Sequence, residues 1–377
     1  MRDLLDVRDF YIKTNRAALD GILNLCQAII GEPAIEKKIA HGLAIAPLLT
    51  IISRTSERLT EIASPQILEN GMPRSSGSAA IELADIRRAA SELKAELGLF
   101  GLFSPDIAVL ESIAAHCANA VVPMPANAGA LPRWPARDPA LRQSPHKPFR
   151  FPEDGSIVAD PQNYLGFLYY VLVDVEISAM EVCSYMALRH HDMPVEFRLD
   201  MARQIWDEAR HAAYIFENFT ALGGQVSMFA YTNTIIHRFN ASSDILDELI
   251  VQHVLQEANA VENNISLAKD LAAVGRNAES LSFMVINNDE ALHARLGFKW
   301  IEYLAKKNGW PADYLFARML NMCRKVGLPP FGMGSWTDVI RKAIGSPDWL
   351  MHKKTYLGML FLRGKPGANE ARHPVSM

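Results

Sequence analysis

The chain has 377 residues, of which 49% are hydrophobic and 21% are charged, and its formal net charge is −4. This composition excludes a wholly disordered chain, which would be poorer in apolar residues and richer in net charge. The chain is slightly acidic, whereas nucleic-acid binders usually carry a cluster or excess of basic residues. We therefore expect no nucleic-acid partner.

Membrane insertion and secretion are also disfavoured. No apolar run approaches the ~18 residues that a membrane span needs. Asp3 and Asp6 lie near the N-terminus, and no apolar stretch follows them that would serve as a secretory signal. We expect a cytoplasmic protein without a membrane partner.

The spacing of the cysteines indicates neither a zinc ribbon nor a disulfide framework. They are far apart and form no C-x-x-C pair, which disfavours a zinc ribbon and a rubredoxin-type iron site. We predict reduced thiols that pack as small hydrophobes. The four positions are Cys26, Cys117, Cys183 and Cys323.

The hydrophobic pattern has a helical period almost throughout, which predicts an all-α protein. Residues 1–122 form an N-terminal helical region of four or five predicted helices. Its breaks are expected near 31–33, 70–73 and 104–106, where glycine, proline and capping residues cluster.

Residues 123–162 have a different character. They contain nine prolines, and proline both lacks a backbone donor and clashes inside a helix. We predict a Pro-rich irregular linker. Two alternatives are open: a flexible connection, or a segment that wraps against a domain surface through its aromatic residues.

From Tyr164 the helical period returns and predicts four long helices, at about 164–190, 195–222, 244–273 and 278–307. At 1.5 Å per residue each helix is ~40 Å long, which is the geometry of a four-helix bundle. We therefore predict a bundle domain over residues 163–310. Residues 311–377 are predicted to form a C-terminal helix and a tail.

An internal repeat connects these helices. The second helix contains D-E-A-R-H-A at 207–212, and the fourth contains D-E-A-L-H-A at 289–294. The first and third helices carry E-x-x-A-x-E, at 176–181 and 257–262. The two motifs recur at almost the same offset, so the first helix pair is repeated as the second.

The spacing of the repeat suits metal binding. Residues i and i+3 share one face of a helix, so each Glu-x-x-His can hold one ion. A lone glutamate precedes each motif by nearly the same interval, Glu176 before Glu208 and Glu257 before Glu290. In an antiparallel hairpin this interval places the lone glutamate level with the motif. We predict a buried site of four carboxylates and two imidazoles, formed by Glu176, Glu208, His211, Glu257, Glu290 and His293.

The chemistry of this set favours iron or manganese. Hard carboxylates combined with imidazole suit these metals, and two cations would neutralise four buried negative charges. A single Glu-x-x-His is usually a solvated surface pair. Two copies, each with a correctly spaced glutamate, favour a metal site over an accident of duplicated amphipathic helices.

Several neighbouring groups have open roles. Glu181 and Glu262 lie about 140° around the helix from Glu176 and Glu257, whose own faces are more apolar. The apolar faces favour Glu176 and Glu257 as ligands, with Glu181 and Glu262 as alternatives or as interface groups. His253 shares the face of Glu257, where it is an extra ligand, a donor to a ligand, or a core histidine.

Asp207 and Asp289 also have two open roles. Each aspartate precedes a Glu-x-x-His motif, and arginines lie close by, at Arg210 and Arg295. The aspartates either pair with these arginines or orient a ligand histidine through its second ring nitrogen.

The constellation resembles the ferritin-like superfamily of dinuclear carboxylate proteins, in which two helices each supply one Glu and two others supply Glu-x-x-His. The resemblance covers about residues 164–307. The stretch 196–211 is also similar to an uncharacterised bacterial ferritin-like family. The resemblance implies a ferritin-like four-helix bundle, with two iron ions, or manganese, bound by the six residues listed above.

Two ferrous ions with open positions can reduce O2, so this resemblance implies a non-haem diiron oxidase or oxygenase acting on a small-molecule substrate. An external electron donor and a homodimer are compatible with it. The alternatives are iron handling or peroxide scavenging, tRNA hydroxylation, and a metal-stabilised interaction module without turnover. The acidic composition argues against the tRNA alternative, and the missing C-x-x-C pair argues against peroxide scavenging.

Overall fold

A computed structural model of the chain describes residues 2–63, 131–151 and 157–328. Within these ranges the regular structure is helical, apart from one isolated β-bridge between Gln143 and Tyr231. The all-α prediction is therefore confirmed for the described part. The predicted breaks at 70–73 and 104–106, Cys117 and the tail beyond residue 328 lie outside the described residues.

The helices are, in chain order, α1 (Arg2–Gly31), α2 (Ile35–Leu43), α3 (Ile45–Ala63), α4 (Pro161–Tyr170), α5 (Ile177–Arg189), α6 (Val195–Ala221), α7 (Thr234–Phe239), α8 (Ile245–Leu249), α9 (Ala258–Ala273), α10 (Asn277–Asn308) and α11 (Ala312–Val326). Two π-helical turns interrupt the sequence of α-helices. The turn π1 (Val171–Glu176) joins α4 to α5, and π2 (Ile250–Glu257) joins α8 to α9.

The four predicted long helices form close to their expected bounds, at 161–189, 195–221, 245–273 and 277–308. The first begins slightly earlier than predicted. Asp160 caps it by accepting hydrogen bonds from the N–H groups of Gln162 and Asn163, and Pro161 occupies the first helical position. Proline is favoured there because its missing N–H would have no partner within the helix.

The described residues fall into two compact units. The first comprises 2–63, 131–151 and 159–233, and the second comprises 157–158 and 234–328. The first therefore contains the predicted helix pair α5–α6, and the second contains α9–α10. The assembly of these two pairs into one ferritin-like bundle stays a prediction.

In the first unit, α1 packs against α3 and α5, while α2 packs against α6. Gly42 on α2 allows a close approach: a Cβ atom at this position would lie 2.6 Å from the Cβ atom of Ala209 and 2.7 Å from Cε of Met180. The N-terminal helices are thus seated directly on the α5–α6 hairpin.

The described part of the Pro-rich segment, residues 131–151, wraps against the first unit. Ala136 N donates to Ile30 O at 2.8 Å, and Ser144 N donates to Tyr231 O at 2.8 Å. Phe149 is buried. Of the two alternatives that the sequence left open, the wrapped segment is the one observed over these residues.

In the second unit, α9 packs against α10, and π2 contacts both α10 and α11. The cysteines that the structure describes are free and buried, as predicted: Cys26, Cys183 and Cys323. None of the described helices is long and apolar enough to cross a membrane.

Candidate metal centre

Each lone glutamate of the repeat is the last residue of a π-helical turn. Glu176 ends π1 and Glu257 ends π2, so the two turns lie at matching positions of the repeat. Single π turns inside α-helices are rare and frequently mark functional sites. Sequence analysis at the α-helical period missed both turns. Each turn contains three β-branched residues, which are weak helix formers and were the available signal.

The first triad consists of Glu176, Glu208 and His211, on π1 and α6. His211 Nδ1 lies 3.1 Å from Glu208 Oε2 and 3.3 Å from Glu176 Oε2. One ligand atom from each residue lies within 4.8 Å of the others, and all three residues are buried. The spacing predicted from the sequence thus brings the lone glutamate level with the Glu-x-x-His motif in this hairpin.

The second triad consists of Glu257, Glu290 and His293, on π2 and α10. His293 Nδ1 lies 3.6 Å from Glu290 Oε2 and 3.8 Å from Glu257 Oε2. Its ligand atoms also lie within 4.8 Å of one another, and the residues are buried. The repeat in the sequence is therefore also a repeat in the geometry of each hairpin.

Both triads have the donor set of a cation site. Each combines two carboxylates with one imidazole, and an isolated buried carboxylate is strongly disfavoured unless it is paired or binds a metal. Burial raises the pKa of Glu176 to about 7, and the neighbouring His211 opposes this effect. A bound cation would favour the ionised carboxylates. These buried Glu/His groups could bind a metal ion.

The comparisons with known proteins identify a family. Residues 107–332 match the family described as protein of unknown function (DUF455). The chain belongs to the DUF455 family. No curated protein and no solved structure matches the chain.

The DUF455 match includes both π turns and both triads, whereas α1, α2 and α3 precede it. The family assignment therefore covers the whole candidate metal centre. The description of the family assigns no activity.

Glutamine side chains support one carboxylate in each triad of the DUF455 protein. Gln204 Nε2 donates to Glu208 Oε1 at 3.1 Å, and Gln252 donates to Glu257 Oε1. Gln256 Nε2 in turn donates to Gln252 Oε1 at 2.8 Å. Such partners behind the ligands orient them. Sequence analysis missed these residues. Gln252 was not recognised as a partner of Glu257 because residues five apart share a face in a π turn but not in an α-helix.

Glu181, the alternative to Glu176, has a different environment. It is fully buried, and its carboxylate is paired with Lys38 and Arg137. Lys38 Nζ lies 2.7 Å from Glu181 Oε1. The side chain of Glu262, the alternative in the second repeat, lies outside the described residues.

His253 and Asp207 lie outside the two triads. His253 is fully buried within π2, and among the described residues it is not part of a group of ligand atoms that could hold an ion. Asp207 accepts hydrogen bonds from Arg203 and Arg210 on its own helix. Of the two roles left open for Asp207, pairing with arginine is the one observed.

Proposed function

We propose that this DUF455 protein is a non-haem diiron oxidoreductase that binds two iron ions per chain and activates O2 to oxidise a small molecule. The observation that carries the proposal is the duplication of a buried Glu and Glu-x-x-His triad, with a π turn ending at the lone glutamate each time. A single buried triad would suit many structural cations. A duplicated one, with this ligand chemistry, favours a dinuclear redox centre.

The proposal joins both triads into one dinuclear centre of the ferritin-like type. It rests on the sequence repeat, because a duplicated hairpin with the ligands in register is the arrangement by which ferritin-like proteins provide four carboxylates and two imidazoles. In this role the first triad would hold one ion and the second triad the other. Manganese is the alternative metal, since the same ligands accept both.

The side chains of each triad would have defined tasks. In both histidines Nδ1 is the ring nitrogen that faces the carboxylates, so Nδ1 would be the ligand atom and Nε2 would carry the proton. Gln204 and Gln252 hold one carboxylate of each triad in place. Burial of the ligands keeps bulk water away from them, which strengthens their electrostatic interactions.

When bound, two ferrous ions would supply the electrons that reduce O2, and the protein would supply ligands, orientation and a dry environment. The substrate would be a small molecule, and an external electron donor would restore the ferrous state where the reaction consumes electrons.

The test is metal analysis followed by an O2 reaction. Purified protein would be stripped of metal, loaded anaerobically with Fe(II), and mixed with O2 while the visible spectrum is recorded. Two irons per chain and an O2-dependent absorption change are expected. No metal uptake would overturn the metal centre, while two irons without any reaction with O2 would overturn the oxidoreductase.

The same preparation distinguishes iron storage. Repeated additions of Fe(II) and O2 should leave two irons per chain in the proposed enzyme. Progressive accumulation of iron far above two per chain would instead assign the protein to iron handling.

A further inference from the structure

Two buried carboxylates flank Glu176 on the same helical run. Asp174 lies two residues before it and Glu181 lies five residues after it, and both side chains are fully buried. The structure places neither in the first triad. Each carboxylate is instead held by other elements of the first unit.

Asp174 is held by the loop that follows α6. Its carboxylate accepts hydrogen bonds from Thr232 N at 2.9 and 3.0 Å, from Thr232 Oγ1 at 3.0 Å, and from Asn233 N. Asn233 has φ +59°, and among the described residues it is the one non-glycine residue with a positive φ. This left-handed turn aims two successive N–H groups at one carboxylate, a geometry typical of anion-binding backbone nests.

Glu181 is held by two cations from different segments. Arg137, in the irregular segment 131–151, donates through both terminal nitrogens to the two carboxylate oxygens of Glu181, at 2.7 Å for Nη2 and Oε2. Lys38 on α2 donates to Glu181 Oε1 at 2.7 Å and to Ile29 O at 2.6 Å. The Glu181 and Lys38 side chains are fully buried, and that of Arg137 is 7% exposed.

Arg137 also connects the two sets of contacts. Its Nη2 lies 3.4 Å from Asn233 Oδ1, on the loop that holds Asp174, and 3.4 Å from Ser178 Oγ. Ser178 in turn donates to Val173 O, five residues earlier, across the end of π1. One guanidinium therefore ties the loop, the π turn and the start of α5 together. We call Asp174, Glu181, Arg137, Lys38 and Asn233 the flanking network.

The second repeat lacks part of this network. The offset that maps Glu176 onto Glu257 also maps Asp174 onto Leu255. Leu255 is fully buried, and its hydrocarbon side chain cannot accept the hydrogen bonds that a loop donates to Asp174 in the first repeat. The distances between the histidine and the carboxylates are also longer in the second triad. Its histidine lies 3.6 and 3.8 Å from its carboxylates, compared with 3.1 and 3.3 Å in the first triad.

We propose that Arg137 is a positioning residue for the first triad, and that the two triads are unequal metal sites. The flanking network holds Glu176 in place before metal arrives, so the first triad takes up its ion with the higher affinity. In the second triad Gln252 holds Glu257, but His293 lies farther from both carboxylates and must be drawn towards them on binding. The second triad therefore takes up its ion more weakly, because ordering a ligand on binding reduces affinity. This inference rests on the metal-binding part of the proposed function and not on the O2 reaction.

The test is a calorimetric titration of metal-free full-length protein with Mn(II), which reports both affinity and number of ions. Two phases are expected, with dissociation constants that differ at least tenfold. His211→Ala should remove the tight phase and His293→Ala the weak one. Two ions with equal affinity, or a tight phase that depends on His293, would overturn the inequality while leaving the metal centre intact. No binding of Mn(II) or Fe(II) at all would instead overturn the proposed function.

Variants of Arg137 separate positioning from simple support of the fold. Arg137→Gln should weaken the tight phase at least tenfold and leave the weak phase unchanged. Because this variant leaves Glu181 buried without its guanidinium partner, it is paired with the triple variant Lys38→Met/Arg137→Gln/Glu181→Gln, which removes all three buried charges. We expect the triple variant to unfold at nearly the wild-type temperature and still bind the first ion at least tenfold more weakly.

Two results would contradict the positioning role. One is a triple variant that regains both thermal stability and the wild-type tight phase, since that would show Arg137 to support only the fold. The other is an equal weakening of both phases. Arg276→Gln is the matched control, because Arg276 pairs with Glu279 in the second unit and is outside the flanking network; it should leave both phases unchanged.

Discussion

A Cβ atom on Gly297 would overlap the Cβ atom of His253 and lie 3.0 Å from its Cγ, so the two residues pack only because Gly297 has no side chain. The offsets that map Glu176 onto Glu257 and Glu208 onto Glu290 place Leu172 and Ile215 at the corresponding positions of the first unit. Both of these residues are fully buried. Two buried hydrocarbon side chains of the first repeat thus correspond to His253 and Gly297 in the second, where the missing side chain of Gly297 leaves room for the imidazole.

This contact predicts that Gly297→Ala destabilises the protein. The atoms that would overlap are attached directly to the backbone, so a side-chain rotation cannot relieve them. Overpacking of this kind costs roughly 1–3 kcal/mol. The measurement is the free energy of unfolding in urea. Gly31→Ala is the control, because a Cβ atom there meets nothing within 4 Å; equal stability of the two variants would contradict the close packing of Gly297 on His253.

The triads predict which substitutions change metal content. Glu208→Ala and His293→Ala each remove one ligand from a set of three, so each variant should lose at least one ion per chain after loading with Fe(II). Metal analysis of the dialysed protein measures this. Glu302→Ala is the matched control, since Glu302 lies on the same helix as His293 and pairs with Lys306 at the surface. Full occupancy in both triad variants would exclude these two ligands.

Substitutions of Glu176 and Glu181 are predicted to have different effects on the number of bound metal ions. Glu176→Ala should lose an ion even at saturating metal, because Glu176 is part of the first triad. Glu181→Ala should still bind two ions per chain at saturation, although we expect a weaker first site. The opposite result would place the metal ligand five residues further along the helix.

The same pair is predicted to differ in stability. Glu181→Ala leaves Lys38 and Arg137 as buried cations without their carboxylate, and breaking a buried ion pair in this way costs roughly 3–5 kcal/mol. Urea unfolding of the metal-free proteins should therefore show Glu181→Ala as much less stable than Glu176→Ala. Similar stability of the two variants would contradict the pairing of Glu181 with both cations.

Arg318 predicts a pH dependence of stability in the second unit. It donates to Asp244 and Asp247 at the start of α8. Partial burial acts to raise the pKa of Asp244, but the hydrogen bonds from Arg318 and from Asp247 N outweigh burial and lower it below its ordinary value of 3.8. A group whose pKa is lowered by folding stabilises the folded state above its unfolded pKa, and this contribution is lost as pH falls through the folded pKa.

Arg318→Gln should therefore reduce the free energy of unfolding at neutral pH. The difference from wild type should persist down to the ordinary carboxyl pKa and then shrink as the pH falls further. Urea unfolding at a series of pH values measures both. A difference that grows on acidification would have the wrong sign and would contradict the ion pairs of Arg318.

Features that depend on short-range spacing could be predicted from the amino-acid sequence. Helical periodicity and proline placed the long helices, because both act within a few residues of the chain. The Glu-x-x-His motifs, each preceded at a matching interval by Glu176 or Glu257, predicted each triad. Two helices of a hairpin have a nearly fixed register, so the spacing alone brings such residues level.

Contacts between distant segments, and changes of helical period, became visible only in the folded chain. Glu181 meets Lys38 from 143 residues away and Arg137 from 44 residues away, and no local pattern encodes such partners. The π turn shifts the angular positions of the residues around it, so a helical wheel at the α period misplaces Gln252 relative to Glu257. Packing therefore determines which buried carboxylates face cations of the protein and which face one another.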